Sequence, residues 1–266
     1  FEKASASVGE NSILKKINDY NALIRLAPPR LYDLYVSLYR ENNTQESLTE
    51  ENYKASKKII EERLKKLNVD NYSIRLDRQA GDIIVEIPEN DATDSIITNI
   101  GTTGKFEIVD SQTQEVLMDN NDIKLANVMY GSDSSSTGTT AGTTVYLNIE
   151  FTKDGAKKLE DISNKYVPVE NTESTENTEN TTDTENTENT ETTEATEKTI
   201  TMKIDDEEIM TTSFDEPIRT GTLQLSIGSS ATDVETLNDY INQANSMAVV
   251  LDTGKMPVQY TVSENQ

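Results

Sequence analysis

Residues 232–251 fit one amphipathic helix and little else, and a hard stop follows it. Leu237, Ile241, Ala244, Ala248 and Leu251 recur at three- and four-residue steps, which places them on one stripe. Thr232-Asp233-Val234-Glu235 has the form of a capping box, with Thr232 accepting from the backbone and Glu235 reaching back. Gly254 can take the left-handed conformation that ends a helix, and Pro257 keeps it from resuming before a short closing strand. A stripe of this kind must be buried against something, so the rest of the chain has to supply a sheet or more helices.

At 266 residues the chain can build one or two domains with real cores. Its net charge of −24 leaves no basic stripe for nucleic acid or anionic lipid, so neither is an expected partner. It has no Cys and no His, which removes disulfides, thiolate chemistry, the usual general base near neutral pH and the commonest zinc ligand. The longest apolar run, residues 247–251, is far too short to span a bilayer. The chain begins at Phe1 with no Met and no signal-like segment, and is expected to be a piece of something longer.

Residues 1–46 are ambiguous. Ile13, Leu14, Ile17, Leu23 and Ile24 suit a helix loosely, residues 22–26 could equally be a strand, and Pro28-Pro29 breaks either. Leu31, Leu34, Tyr35 and Leu38 then predict a short helix. Ser47-Leu48-Thr49-Glu50 is a second capping-box pattern, opening a helix to about Leu67 with Ile60, Leu64 and Leu67 on one face. Tyr72, Ile74 and Leu76 alternate as a strand, a turn follows at residues 79–82, and residues 83–87 return as its partner before Pro88. Asp91 is expected to cap a helix carrying Ile96, Ile97 and Ile100, stopped at Gly101, with the next strand at Phe106 and Ile108. This order is most of a ferredoxin-like βαββαβ unit whose first strand would come from the ambiguous N-terminal region.

Residues 132–144 form a Ser/Thr/Gly loop, after which Val145, Leu147, Ile149 and Phe151 alternate as a strand with one buried face. Thr152 leads into a helix with Ala156, Leu159, Ile162 and Tyr166. Residues 200–204 and 209–214 read as a hairpin around an acidic turn at residues 205–208, and Leu223, Leu225 and Ile227 as a further strand. Between them, residues 170–199 are almost wholly Thr, Glu and Asn. With nothing apolar to bury and like charges throughout, the tract is expected to be a disordered, solvated insertion.

No catalytic constellation emerges, and the chain is not expected to be an enzyme. Asp205, Asp206, Glu207 and Glu208 read as a solvated turn. Asp119 and Asp122 lack the Gly and distal Glu of an EF-hand loop, and Gly101-Thr102-Thr103-Gly104 is too short for a phosphate loop. The hydroxyls of the Ser/Thr loop have no basic partner. Neither a metal nor a cofactor is expected.

Residues 151–159, 204–227 and 251–257 are three collinear segments that resemble the large extracytoplasmic domain of SecD, a protein-export membrane subunit. Phe151-Thr152-Lys153-Asp154-Gly155-Ala156-Lys157-Lys158-Leu159 is similar to that family's strand-to-helix segment. Ile204-Asp205-Asp206-Glu207-Glu208-Ile209 with Glu216-Pro217-Ile218, Gly221 and Ile227 looks like its hairpin and Glu-Pro-Ile turn. Leu251, Gly254 and Pro257 match its Leu-x-x-Gly-x-x-Pro ending, and residues 60–67, 81–88 and 104–108 fit upstream in order and spacing. The family's Asp-Leu-x-Gly-Gly motif is absent from residues 1–50, and the acidic tract is not a family feature.

The resemblance implies an α+β fold: a ferredoxin-like base, residues 47–110 and 231–262, with an α+β head inserted at 111–230, after an N-terminal segment 1–46 of uncertain fold. It implies a cell-membrane setting on the extracytoplasmic face, anchored by flanking membrane helices that this sequence lacks. The partners it implies are SecF, the SecYEG channel and translocating, unfolded polypeptide, whose release proton flow through those helices would drive. Polypeptide capture needs an apolar groove or a free strand edge, and flexible Met side chains suit it. Met129, Tyr130, Met210 and Phe214 are the expected contacts, and Asp110, Ser111, Ser229 and Ser230 the expected hinge between head and base. A cell-surface structural or adhesive module carrying the acidic tract is the alternative.

Overall fold

Leu34, Val36 and Leu38 are buried while Tyr35 between them is 37% exposed, a period of two. The segment expected to be a short helix is therefore strand β1 (Leu31–Leu38). The three- and four-residue spacing of its leucines is coincidental, and pairing on both sides decides the matter: β1 lies between β3 (Ile83–Pro88) and β11 (Tyr260–Glu264), antiparallel to each. A computed structural model of the chain describes residues 31–89, 93–133, 142–167 and 198–264. The readings of residues 13–26, of Asp91 as a cap, of most of the Ser/Thr/Gly loop and of nearly all the Thr/Glu/Asn tract lie outside the described residues.

With α1 (Glu50–Lys66), β2 (Ser73–Leu76) and α2 (Thr93–Gly101), these strands complete the ferredoxin-like unit, in sheet order β11-β1-β3-β2. Thr49, not Ser47, caps α1, accepting from the Asn52 N–H at 3.2 Å. Ile60 and Leu64 are fully buried as their spacing requires, in a core with Leu34, Val36, Val85 and Ile100.

The placement of residues 106–110 in the base does not hold. Strand β4 (Phe106–Asp110) is bonded to β5 (Val116–Asp119) and β8 (Ile200–Ile204), and β9 (Glu207–Thr212) completes this second sheet as β5-β4-β8-β9. The final strand of the ferredoxin-like unit is β11, some 150 residues later in the chain. A third sheet, β10-β7-β6, is built from β6 (Ile123–Asp133), β7 (Gly142–Phe151) and β10 (Thr222–Ala231). Helix α3 (Lys153–Lys165) packs Leu159 and Ile162 into the core that these two sheets share. Thr152 caps it as expected, accepting from the Gly155 N–H at 3.1 Å.

The closing helix, α4 (Val234–Thr253), does more than complete the base. Ala244, Ala248, Val250 and Leu251 enter the head core with Leu147, Ile149 and Leu225. Its other side meets α1 and α2, through Ser246 to Ser95 at 3.0 Å and Lys66 to Asp252 at 2.5 Å. The cap is Asp233 rather than Thr232: its carboxylate accepts from the Thr236 N–H at 2.8 Å. That bond, with the helix N-terminus behind it, holds the Asp233 carboxyl below its ordinary value of 3.8. A lowered carboxylate stabilises the fold above the unfolded pKa, and the contribution fades as pH falls toward the folded one. Asp233→Ala should therefore lower the melting temperature at pH 7, by a margin that shrinks as pH falls below 3.8, with Thr232→Ala unchanged throughout. Thermal unfolding followed by circular dichroism checks this, and equal losses for both variants would contradict the assignment.

Both flanks of the Thr/Glu/Asn tract are held at one place. The Tyr166 hydroxyl donates to Asp110 Oδ2 at 2.5 Å, and the Ser111 N–H to the Thr199 carbonyl at 3.0 Å. The Tyr166 bond holds the Asp110 carboxyl down to about 2, while burial and this bond raise the phenol. Since the ends already meet, replacing residues 169–197 with a short Gly/Ser linker should shift stability by less than about 0.5 kcal/mol. Urea unfolding measures it, and a large loss would mean that the tract supports the fold.

Candidate functional site

The chain leaves the base at residues 102–105 and returns at 254–259, where the Met256 N–H bonds the Thr103 carbonyl at 2.8 Å. Arg63 holds this double crossing. It lies on the buried face of α1, fully inaccessible. One Nη1 donates to the carbonyls of Asn99, at 2.7 Å, and of Thr102. Nη2 donates to Thr103 and Gly254 carbonyls at 3.3 and 3.2 Å, and Nε to Thr253 Oγ1 at 3.1 Å. These acceptors belong to the C-terminal ends of α2 and α4 and the connectors beyond, where orphan carbonyls and the negative dipole end favour a cation.

Burial lowers the Arg63 pKa to about 10, opposed by Asp205, so the guanidinium stays charged at neutral pH. Asp205 closes the junction from the head. Its carboxylate accepts from the Thr103 and Lys105 N–H groups at 2.5 and 2.7 Å. The acidic turn is thus not merely solvated: Asp205 and Asp206 form the two-residue hairpin turn, φ 51° and 68°, and Asp205 is tied to the crossing.

The four expected hinge residues are not at either crossing. Asp110 and Ser111 occupy the tight β4–β5 turn, where Asp110 Oδ1 accepts from Gln112 and Thr113. Ser229 and Ser230 lie in β10, within an irregularity in its pairing with β7. For Asp110 and Ser111 the reason is β4, which belongs to the head; for Ser229 and Ser230 it is α4, whose N-terminal half packs on the head core and does not begin the base.

The expected contact residues divide into two pairs. Met129 and Tyr130 sit on β6, 42% and 58% exposed, and as neighbours in a strand they point to opposite faces. Met210 and Phe214 come together instead. Phe214 is 6% exposed and belongs mostly to the core, yet it lines the same cavity of about 450 Å³ as Met210, with Ile218, Leu223 and Leu225.

That cavity is part of a groove. β9 ends one head sheet and β10 ends the other, and among the described residues no strand pairs with the free edge of either. Between them a pocket of about 190 Å³ is walled by Ile209 and Met210 on one side and Leu225 and Ile227 on the other, with Gln243 and Met247 of α4 lining it too. Past Ile209 and Met247 it opens into a cavity of about 460 Å³ that reaches Val250 and the Ser95 and Asn99 of α2. The lining mixes the apolar Ile209, Met210, Leu225, Ile227 and Met247 with polar groups, and carboxylates stand toward both ends, Glu207 and Glu208 at one and Asp215 and Glu216 at the other. Among the described residues no Lys or Arg lines any of these three cavities. Sequence reasoning missed Ile209, Leu225 and Met247 as groove residues. Only Met247 carried a signal, a flexible Met beside the stripe of α4.

The architecture defines a class: an α+β domain with a ferredoxin-like base that closes around an inserted two-sheet head. No protein-family model and no curated protein matches the sequence. Solved structures do match the fold. A crystal structure of SecDF in a super-membrane-facing form is 17% identical with a TM-score of 0.59, the match covering 90% of this chain and 30% of that one. A structure of "a membrane component SecDF that enhances protein export" is 17% identical with a TM-score of 0.55, covering 88% of this chain and 99% of that one. The chain thus has the fold of the SecDF extracytoplasmic region, as the residue resemblance implied.

Proposed function

We propose that this chain is the polypeptide-binding extracytoplasmic domain of a SecD-type protein-export subunit. The groove between β9 and β10 carries the reading: it sets strand edges unpaired among the described residues beside flexible Met and branched aliphatic side chains, a chemistry that accepts many sequences. In this reading the domain binds unfolded polypeptide emerging from a SecYEG channel and works beside SecF. Proton flow through membrane helices outside this sequence drives release, and the domain itself is not an enzyme. Membrane tethering is supported by the base: Leu34 pairs with Glu264, so the start of β1 and the end of β11 lie together, and further chain on either side would leave from one place. Among the described residues no helix is long and apolar enough to cross a membrane.

The test is binding of a labelled, permanently unfolded polypeptide to the chain, followed by fluorescence anisotropy. Saturable binding that the folded form of the same polypeptide does not show is the expected result. No binding even at high micromolar concentration would remove the capture function while leaving the fold as it is.

A further inference from the structure

We propose that the groove takes its ligand as an added β-strand: an extended polypeptide segment lies between β9 and β10 and joins the two head sheets into one. The proposal rests on the capture reading and specifies the form of the substrate. Two edges facing one another across a groove are unlike a single exposed edge. Among the described residues neither edge is paired, and residues of β9 and of β10 line one pocket, so an extended chain lying there has the free N–H and C=O groups of both strands beside it, and main-chain pairing is indifferent to sequence.

Dimensions and lining set the ligand's chemistry. β9 is six residues long, about 20 Å at the usual rise per residue, so a segment of about six residues fills the site. Alternate side chains of an extended segment point to opposite faces. Those turned toward α4 meet Met247, Ile209 and Leu225, which favours apolar residues at every second position. Glu207 and Glu208 at one end and Asp215 and Glu216 at the other, with no lining cation among the described residues, favour Lys or Arg at the segment's ends. Proline within the segment is disfavoured because it cannot donate to either edge.

The probe is a nine-residue peptide with Val at alternate positions, Thr between them and Lys at both ends, titrated into the full 266-residue chain. Its partner is the same peptide N-methylated at every second backbone amide, which keeps the side chains and removes the donors. N-methylation should weaken binding roughly tenfold or more, the equivalent of losing one or two net hydrogen bonds. Met210→Glu should weaken it by a similar factor and Val116→Glu, on β5 at the opposite edge of the same sheet and half exposed, should leave it unchanged. Equal binding of the N-methylated peptide overturns strand addition and leaves capture standing. Loss with Val116→Glu but not Met210→Glu overturns the location. No binding by either peptide, in a chain that also fails to bind unfolded polypeptide, overturns both. The peptide comparison uses the unaltered chain, so it holds even if a groove variant fails to fold.

Discussion

Arg63→Met should destabilise the chain by about 3–5 kcal/mol, although the replacement is apolar, similar in length and a good helix former. The substitution removes five donated hydrogen bonds and leaves the carbonyls of Asn99, Thr102, Thr103 and Gly254 without this partner at a buried junction. Each buried, unsatisfied acceptor costs about 1–3 kcal/mol, and water entering the space recovers part of it. Arg63→Lys keeps the charge but not the planar fork, so it reaches fewer of these acceptors and should fall between wild type and Met. Urea unfolding followed by circular dichroism gives the values. The junction also predicts how they will be distributed: amides at residues 102–105 and 254–256 should gain hydrogen exchange in Arg63→Met before those of β7 or β8. A loss below about 1 kcal/mol would show that this guanidinium does not hold the crossings.

Gly155→Ala should also destabilise, against its helix propensity. Inside a helix, Ala is favoured over Gly by about 1 kcal/mol. Here the added Cβ would stand 2.5 Å from the Asp122 carbonyl oxygen and 3.0 Å from the Asp122 Cβ. That oxygen is backbone and is already fixed, since the Thr152 N–H donates to it at 2.7 Å. The Asp122 side chain is held as well, accepting from Lys158 at 2.8 Å and from the Asp119 N–H at 3.1 Å. Nothing in this turn can move cheaply, so overpacking outweighs propensity and the net loss should be about 1–3 kcal/mol. Ala156→Gly next door is the control, expected to lose about 1 kcal/mol by propensity. Equal or greater stability in Gly155→Ala would mean that the turn yields freely.

The same turn explains a motif that sequence alone could only match. Phe151-Thr152-Lys153-Asp154-Gly155-Ala156-Lys157-Lys158 was legible as a strand running into a capped helix, and both elements form at the expected residues. What it could not reveal was that Gly155 and Lys158 both answer to Asp122. That residue is more than thirty positions earlier, so no local pattern connects the two.

The candidate site was legible in pieces. Met210 and Phe214 were identified by residue type and they do meet in the groove. Met129 was chosen for the same reason and lies on β6, at the opposite edge of its sheet from the groove. Residue type is blind to which strand ends a sheet, and the groove exists only because β9 and β10 end theirs. Arg63 left a faint trace, a cation three residues after Ile60 on a stripe that buries Ile60 and Leu64. Its acceptors come from residues 99–103 and 253–254, which no window on α1 includes.

The sequence by itself determined the helices, the caps of α1, α3 and α4 to within a residue or two, a hairpin around residues 205–208 and, through the resemblance, the α+β class. Periodicity and capping act over a few residues, so a single chain segment contains the physics that decides them. Tertiary structure alone decided that residues 31–38 are a strand, that β4 belongs to the head, and that α4 serves both cores. Those outcomes depend on strand pairing and burial between segments as much as two hundred residues apart in sequence, Leu38 with Tyr260 among them. The energy of such pairing outweighs local preference whenever the two compete.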